Sequence, residues 1–394
     1  MYLQSLELTD YRNYARLRLD LTRGRYILAG DNAQGKSNLC EALRLLSTMR
    51  SFRASSDREL VRWGSQGHFA RVQADVVRAT SPVTIEIIIS ATASDDDILA
   101  PPLPSMPTMP LPNKLAATGK RVKINGVPKR ALDCVGMMTV VVFEPADLDL
   151  IVGSPGGRRH FMDITLCQIS RSYCRALSQY QRILTQRAAL LKRIRDHQDD
   201  PRALTYWDDQ MATLAVPIIT ERAGLIDRCT PPADEVAHKL GSTGLRLAYQ
   251  PSFPIDLATT TADATEAFKA KLAELRRREL MQGVNLLGPH RDDLAFFEGP
   301  VDLAIYGSRG QQRVAALALK LSELEAIETE TGDQPILVLD DVLSELDPTR
   351  RAALLESVAH IDQVFLTTAE PDSLPANYVA SAQQFSVRAG AIAS

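Results

Sequence analysis

Apolar and polar residues alternate from 2 to 8 and again from 15 to 21, where Leu17, Leu19 and Leu21 share one face, so both stretches predict half-buried strands. A short apolar run over 26–29 ends at Gly30 and gives way to a helical pattern over 36–49. Further strands are expected at 69–77, 83–89 and 137–143. Ile124-Asn125-Gly126-Val127 carries the signal of a tight hairpin, because both central positions of that turn need positive φ. From 156 to about 283 the pattern turns helical. Phe161, Ile164, Ile169, Tyr173, Leu177, Tyr180, Leu184, Leu191 and Ile194 recur, with one step of five, in steps of three, four and seven, as one face of a single long helix does. A second helix is expected over 203–228, stopping before Pro231-Pro232, and a third over 264–281. The last hundred or so residues return to alternation: strand 301–306, helix 311–328, strand 336–339, helix 349–359, strand 364–367. The pattern predicts an α/β nucleotide domain made from both ends of the chain and interrupted by a helical middle.

Composition supports that picture. At 394 residues, 45% hydrophobic and 24% charged, the chain can bury a sizeable core. Its apolar runs, such as 87–89 and 336–339, are far shorter than the ~18–20 residues that cross a bilayer, and no membrane partner is expected. No secretory signal opens the sequence, and five cysteines without a C-x-x-C pair argue against a disulfide framework or a zinc site, so a cytoplasmic protein is expected. Residues 95–113 bring three consecutive Asp and then six Pro within 101–112, a density that defeats helix and sheet alike and predicts a disordered surface insertion. Net charge is only −3, yet its distribution is uneven. Residues 156–195 carry nine Lys or Arg against Asp163 alone, whereas 321–349 carry nine acids and no Lys or Arg. Arg dominates the basic residues, and its forked donors suit phosphate. Arg158, Arg159, Arg171 and Arg175 on the basic helix are the DNA-facing candidates, against the competing reading of a solvated helix face.

The chemistry concentrates in a few short motifs. Gly30-Asp31-Asn32-Ala33-Gln34-Gly35-Lys36-Ser37 satisfies G-x-x-x-x-G-K-[ST] between an apolar strand and a helix. The glycines let successive amides face an anion, Lys36 meets the β- and γ-phosphates, and the Ser37 hydroxyl holds Mg²⁺. A second acid-ended strand, Pro335-Ile336-Leu337-Val338-Leu339-Asp340-Asp341, places Asp340 as the Mg²⁺ partner and Asp341 as the residue that orients or deprotonates the attacking water. Ser344-Glu345-Leu346-Asp347 follows. Upstream, Ser308-Arg309-Gly310-Gln311-Gln312 opens a helix, where free amides and the positive end of the dipole make a second anion site.

In that order these motifs resemble the ABC-type ATPase head, and Gly35-Lys36-Ser37-Asn38-Leu39-Cys40-Glu41-Ala42-Leu43 is of the style of its SMC-like branch. The rest narrows the resemblance to the RecF family of replication and repair proteins. Tyr11-Arg12-Asn13-Tyr14, Ser51-Phe52-Arg53 with Arg62-Trp63-Gly64, and Phe143-Glu144-Pro145-Ala146-Asp147-Leu148 all fit. So do Gly153-Ser154-Pro155 with Arg158 to Asp163, Tyr180-Gln181-Arg182-Ile183-Leu184, and Gly288-Pro289-His290-Arg291-Asp292-Asp293-Leu294. The resemblance implies an ATPase head in 1–150 and 286–394 with a helical arm of 151–285 between them. It implies ATP and Mg²⁺ as cofactors, slow switch-like hydrolysis, and DNA, RecR and RecO as partners. A homodimer would form on ATP, with Ser308, Gly310 and Gln311 of one head closing over nucleotide held by Gly30 to Ser37 of the other. Loading of recombinase at gapped or stalled DNA and support of the SOS response complete the expectation. Asp341 stands where many such heads carry Glu, and no His lies near 364–368, leaving Thr367 or Thr368 to meet the γ-phosphate. No Gln follows the 137–143 strand, which leaves Glu144 or Asp147 on the metal side. Three rivals fit less well. A transporter subunit places its signature much closer to the phosphate loop than Ser308 lies here, an SMC protein needs long heptad arms, and a nuclease fusion needs a further metal domain. A scaffold that binds ATP without hydrolysing it is the nearest alternative.

Overall fold

A computed structural model describes residues 1–90, 119–255 and 259–393. The expected insertion at 95–113 lies outside the described residues. Strands β1 (Tyr2–Tyr11) and β2 (Tyr14–Asp20) lead to β3 (Gly24–Ala29), the phosphate loop and helix α1 (Lys36–Thr48). Next come β4 (Phe69–Val77), β5 (Val83–Ser90), β6 (Lys120–Ile124), β7 (Val127–Lys129), α2 (Ala131–Cys134) and β8 (Val140–Phe143). The middle of the chain holds α3 (Asp149–Val152), α4 (Pro155–Ile169), α5 (Arg171–Arg195), α6 (Leu204–Lys239), β9 (Arg246–Gln250) and α7 (Thr261–Gln282). After β10 (Asp293–Glu298), β11 (Val301–Asp302) and α8 (Leu303–Tyr306) comes the long α9 (Arg309–Thr331). The chain then runs through β12 (Ile336–Asp340), α10 (Pro348–Ser357), β13 (Gln363–Thr368), α11 (Ala376–Ala380), β14 (Ala382–Arg388) and β15 (Ala391–Ala393).

The strands form three sheets. The central one runs β15-β14-β3-β13-β12-β8, parallel from β14 through β8, with β15 alone antiparallel. Every residue of β12 and β13 is buried, which is why both read as continuous apolar runs rather than alternating ones. The second sheet, β2-β1-β4-β5-β6-β7, is antiparallel, and β5 alternates buried with half-buried positions as a sheet covered on one face does. Between these two sheets lies α1, whose Leu39, Ala42, Leu43, Leu45 and Leu46 are all fully buried. A helix so enclosed is apolar on more than one stripe. The Asn125-Gly126 hairpin forms as expected, with Ile124 opposite Val127 and both central residues at positive φ. The chain ends are knitted together: the Gln363 side chain donates to Leu3 O and accepts from Leu3 N at 2.9 and 2.8 Å.

The helical middle departs from the expectation in several places. The single long helix is two, broken at Ser170, whose extended backbone ends α4 and whose hydroxyl accepts from Tyr173 N to start α5. Conversely, the helix expected to stop before Pro231 continues through it and Pro232 to Lys239, with Pro217 also inside. Each interior proline costs about 3 kcal/mol. The buried face formed by Ile218, Ile219, Leu225, Ile226, Cys229, Ala233 and Ala237, packed against α9, outweighs that cost. The expected strand 301–306 is only two residues long before α8 begins, because Asp302 accepts from Ala304 N and caps a helical turn. Strand β9 interrupts the helices and pairs with β10, so Leu294 lies opposite Tyr249.

Candidate ATP site

β3 delivers the phosphate loop at the carboxyl edge of the central sheet, where doubly wound folds bind ligands. The sharp exit at Gly30 is forced by β14: a Cβ there would lie 2.4 Å from Val387 O. At Gly35 φ is +121°, and a Cβ would meet Asn13 Nδ2 at 2.6 Å. No acid occupies the first turn of α1, and among the described residues the amides of Gly35, Lys36 and Ser37 donate to no protein acceptor. They are the orphan donors of a helix start, free for an anion. Lys36 curls its ammonium over the loop, donating to Gly30 O at 2.5 Å and Asp31 O at 2.9 Å.

The hairpin turn between β1 and β2 supports the loop from below. Asn13 Nδ2 donates to Gln34 O at 2.9 Å and Tyr14 Oη to Gly35 O at 2.9 Å, while Arg12 makes a two-pronged ion pair with Glu41 of α1 at 2.7–2.8 Å. From the other side Gly390 N donates to Gln34 O and Ala389 N to Gln34 Oε1. Sequence reading quoted this Tyr-Arg-Asn-Tyr segment without giving it a role. Three polar side chains in a two-residue hairpin turn and its flanks were the available signal.

Two strands away, β12 brings Asp340 to the same edge. Its Oδ1 accepts from Ser37 Oγ at 3.1 Å and from Thr367 Oγ1 at 2.8 Å. Burial pushes the Asp340 carboxyl above its ordinary value, opposed by those two hydroxyls. Among the described residues it has no ion-pair partner. A buried carboxylate beside a hydroxyl and lacking a cation fits a hard divalent ion such as Mg²⁺. Asp341 takes the left-handed region at φ 56°, and its amide donates to Thr367 Oγ1 at 2.9 Å. Thr367 therefore joins the two acids instead of reaching out toward a phosphate. The Thr368 hydroxyl is turned to Glu370 N.

The cavity beside Ser37 and Asp340 is lined by Cys40, Glu41, Arg44, Ser51, Phe52, Arg53, Val142 and Glu144. Of the two acids after β8, Glu144 faces this cavity, paired with Arg44 at 2.7 Å. Asp147 turns inward to accept from Glu144 N, and burial raises its carboxyl.

The helix start expected to act as a second anion site is capped by its own side chains. Ser308 caps α9, accepting from Gln311 N at 3.3 Å, and Gln311 Oε1 accepts from Ser308 N at 2.9 Å. Gln311 Nε2 donates to Glu298 at 2.7 Å, and Gly310 lies under Arg350 of α10. Among the described residues none of these hydrogen bonds runs to the chain's own phosphate loop.

The four DNA-facing arginines separate. Arg158 is buried, clamped on Asp293 and on the carbonyls of Leu150 and Gly153. Arg159 is drawn to Asp292 O at 2.8 Å. Neither offers the open guanidinium that the DNA-facing reading or the competing solvated-face reading expects, because Asp293 pairs with Arg158 and the Asp292 carbonyl accepts from Arg159. Arg171 and Arg175 remain exposed, Arg175 paired with Asp133 at 2.8 Å.

Residues 2–385 match the family model described as RecF/RecN/SMC N terminal domain. The DNA replication and repair protein RecF of Chloroflexus aurantiacus is 39% identical over 404 residues, covering 100% of this chain and 99% of that protein. RecF of Geobacillus kaustophilus is 35% identical over 396 residues, with 100% and 99% covered. Among solved structures, the recombination mediator protein RecF-ATPrS in the RecFOR pathway superposes with a TM-score of 0.85 at 29% identity, over 99% of this chain and 97% of that one. An Smc head domain from Pyrococcus furiosus shares the fold, with a TM-score of 0.51 at 15% identity over 99% and 95%.

Proposed function

The chain belongs to the RecF family of DNA replication and repair proteins, and on that footing we propose that it is an ATP-driven DNA-binding protein of replication and recombinational repair. Its ATPase head comprises 1–150 and 286–394, with 151–285 an inserted helical arm. ATP is the substrate of the phosphate loop, held by the residues from Gly30 to Ser37, with the Gly35–Ser37 amides and the Lys36 ammonium on its phosphates. Ser37 and Asp340 would hold a Mg²⁺ ion, which would supply positive charge beside the phosphates. Two copies close head to head, Ser308, Gly310 and Gln311 of each completing the other's site. Asp341 orients water for a slow hydrolysis that reopens the pair. The setting is gapped or stalled DNA, where the protein acts with RecR and RecO to load recombinase on single strands and supports the SOS response. The solved neighbour's placement in the RecFOR pathway supports that setting.

One observation carries the reading. Among the described residues the capped Ser308 end of α9 makes no hydrogen bond to its own phosphate loop, which supports the reading that each chain carries two halves of a triphosphate site. Nucleotide shifts such an equilibrium only through its greater affinity for the closed pair. Sedimentation with Mg²⁺ and a non-hydrolysable ATP analogue tests this: the wild-type chain becomes a dimer, and Lys36→Ala stays single and binds gapped DNA more weakly. A wild-type chain that stays single under those conditions overturns the reading.

A further inference from the structure

Trp63 is 97% exposed, an unusual position for the largest apolar side chain. Its backbone is far from loose. Ser65 N donates to Arg62 O at 3.2 Å, closing a turn with Trp63 and Gly64 at its centre, and Gly64 takes φ +76° as such a turn requires. Before the turn, Arg62 is held twice by Asp10, N–H to O at 2.7 Å and Nε to Oδ1 at 2.6 Å. Tyr11 bridges Val61, and Arg12 N donates to Leu60 O at 2.8 Å. The indole is thus presented bare on a fixed support, which removes most of the ordering cost of binding through it.

The surroundings select the occupant. On the same loop Phe69 is 36% exposed and packs its ring on Gly67, and His68 is exposed. Arg58 is exposed, and among the described residues its guanidinium group has no hydrogen-bond or ion-pair partner; Arg53 lines the cavity beside Ser37 and Asp340 and belongs to that site. Of the nearby acids, Asp57 pairs with Lys120 at 3.3 Å and Asp10 with Arg62, while the exposed Glu59 accepts from Ser55. A bare indole on a chain segment that also carries the unpaired Arg58 fits a ligand with flat rings on a polyanionic backbone. We propose that the Trp63 turn is a stacking platform for an unpaired nucleobase of DNA, with Arg58 on an adjoining phosphate. The proposal rests on the DNA-binding reading above and adds the site. The turn hangs from Asp10 and Arg12, and the same hairpin carries the Asn13 and Tyr14 contacts to the phosphate loop.

The chain has two tryptophans, so Trp207→Phe leaves Trp63 as the only indole. Its fluorescence is titrated with a thymine oligonucleotide, an abasic oligonucleotide of equal length and a blunt duplex, with the ATP analogue present throughout. The thymine strand is expected to quench Trp63 and the other two to leave it bright. In the otherwise wild-type chain, Trp63→Ala weakens single-strand binding about tenfold without changing its salt slope, and Arg58→Ala lowers that slope by about 0.7. Gapped DNA bound normally with no quenching, and with Trp63→Ala unchanged, sinks the stacking site and spares the DNA-binding reading. No binding to any DNA sinks both. Emission that changes on dimerisation alone, with no further change on DNA, assigns Trp63 to the second copy and overturns the proposal.

Discussion

At the scale of single residues the site is held under tension. Asp340 is buried and among the described residues has no ion-pair partner, and burial raises its carboxyl above the ordinary value against the Thr367 and Ser37 hydroxyls and the more distant Arg53. The folded chain therefore holds this proton more tightly than the unfolded one, and stability from this group falls as pH rises from the ordinary value through the folded one. At neutral pH the charged carboxylate is a cost that a bound metal relieves. Asp340→Asn, which keeps an acceptor for Ser37 and Thr367, should melt higher than wild type in the absence of nucleotide. It should also lose the added stability that Mg-ATP gives the wild type, as paired thermal melts would read. A variant that melts lower without nucleotide contradicts the argument. Asp341 predicts a different split. Asp341→Asn should keep ATP binding and dimerisation and lower turnover by about 10²-fold or more, the typical loss for a positioned base. Equal turnover would favour the scaffold that binds without hydrolysing.

At the scale of elements, α9 depends on a support remote in sequence. Glu298 at the end of β10 accepts from Ser242 Oγ, Thr243 N and Thr243 Oγ1 at 2.7–2.8 Å, and its other oxygen holds Gln311. Those hydrogen bonds, the Thr243 amide foremost, bring its carboxyl down to about 2. A depressed carboxyl contributes stability that is present above its ordinary value of 4.5 and lost as pH falls toward about 2. Glu298→Ala should cost roughly 1–3 kcal/mol in denaturant unfolding at pH 7, with a smaller difference at pH 3. It should also loosen Ser308 and Gln311, weakening ATP-driven dimerisation while monomeric ATP binding is unchanged. This contact also marks where sequence reading ends. The phosphate loop and β12 were legible because their spacing is local and their buried strands are unbroken apolar runs. The halt at Ser170, the passage of α6 through three prolines and the burial of Arg158 were not. The last two are decided by what packs against the element, α9 for α6 and the Asp293 turn for α4, and a periodicity cannot name its neighbour, while the halt at Ser170 is a local cap set inside a continuing apolar spacing.

At the scale of the molecule, the Gly288 loop and the helical middle share a polar interior that fixes a response to acid. Arg222 reaches Asp163 at 2.7 Å and Pro289 O at 2.6 Å, and Arg187 ties Asp208, Glu279 and Asn285 together. His290 sits within this interior, its Nδ1 2.8 Å from Tyr180 Oη and its Nε2 3.3 Å from Asn285 O. A neutral ring satisfies both contacts, accepting from the tyrosine and donating to the carbonyl. Burial first, and then Arg291, Arg159 and Arg222, bring its pKa down to about 3. His160 is brought to about 3 by burial and by Arg44, Arg50 and Lys320. Both rings are freely protonated only in the unfolded chain, which therefore takes up more protons below 6.5. Stability should fall as pH drops from about 6.5 toward 3, by up to about 1.4 kcal/mol per pH unit for each ring. Lowered carboxyls such as Glu298 and Glu86 enter only below about 4.5, whereas the raised Asp340 and Asp147 act in the opposite sense above 3.8. Urea unfolding between pH 7.5 and 4.5 should show the fall, and His290→Gln should remove about half of its slope there. A flat profile over that range would mean that these rings accept protons inside the folded chain, and that its arginine-lined interior admits water.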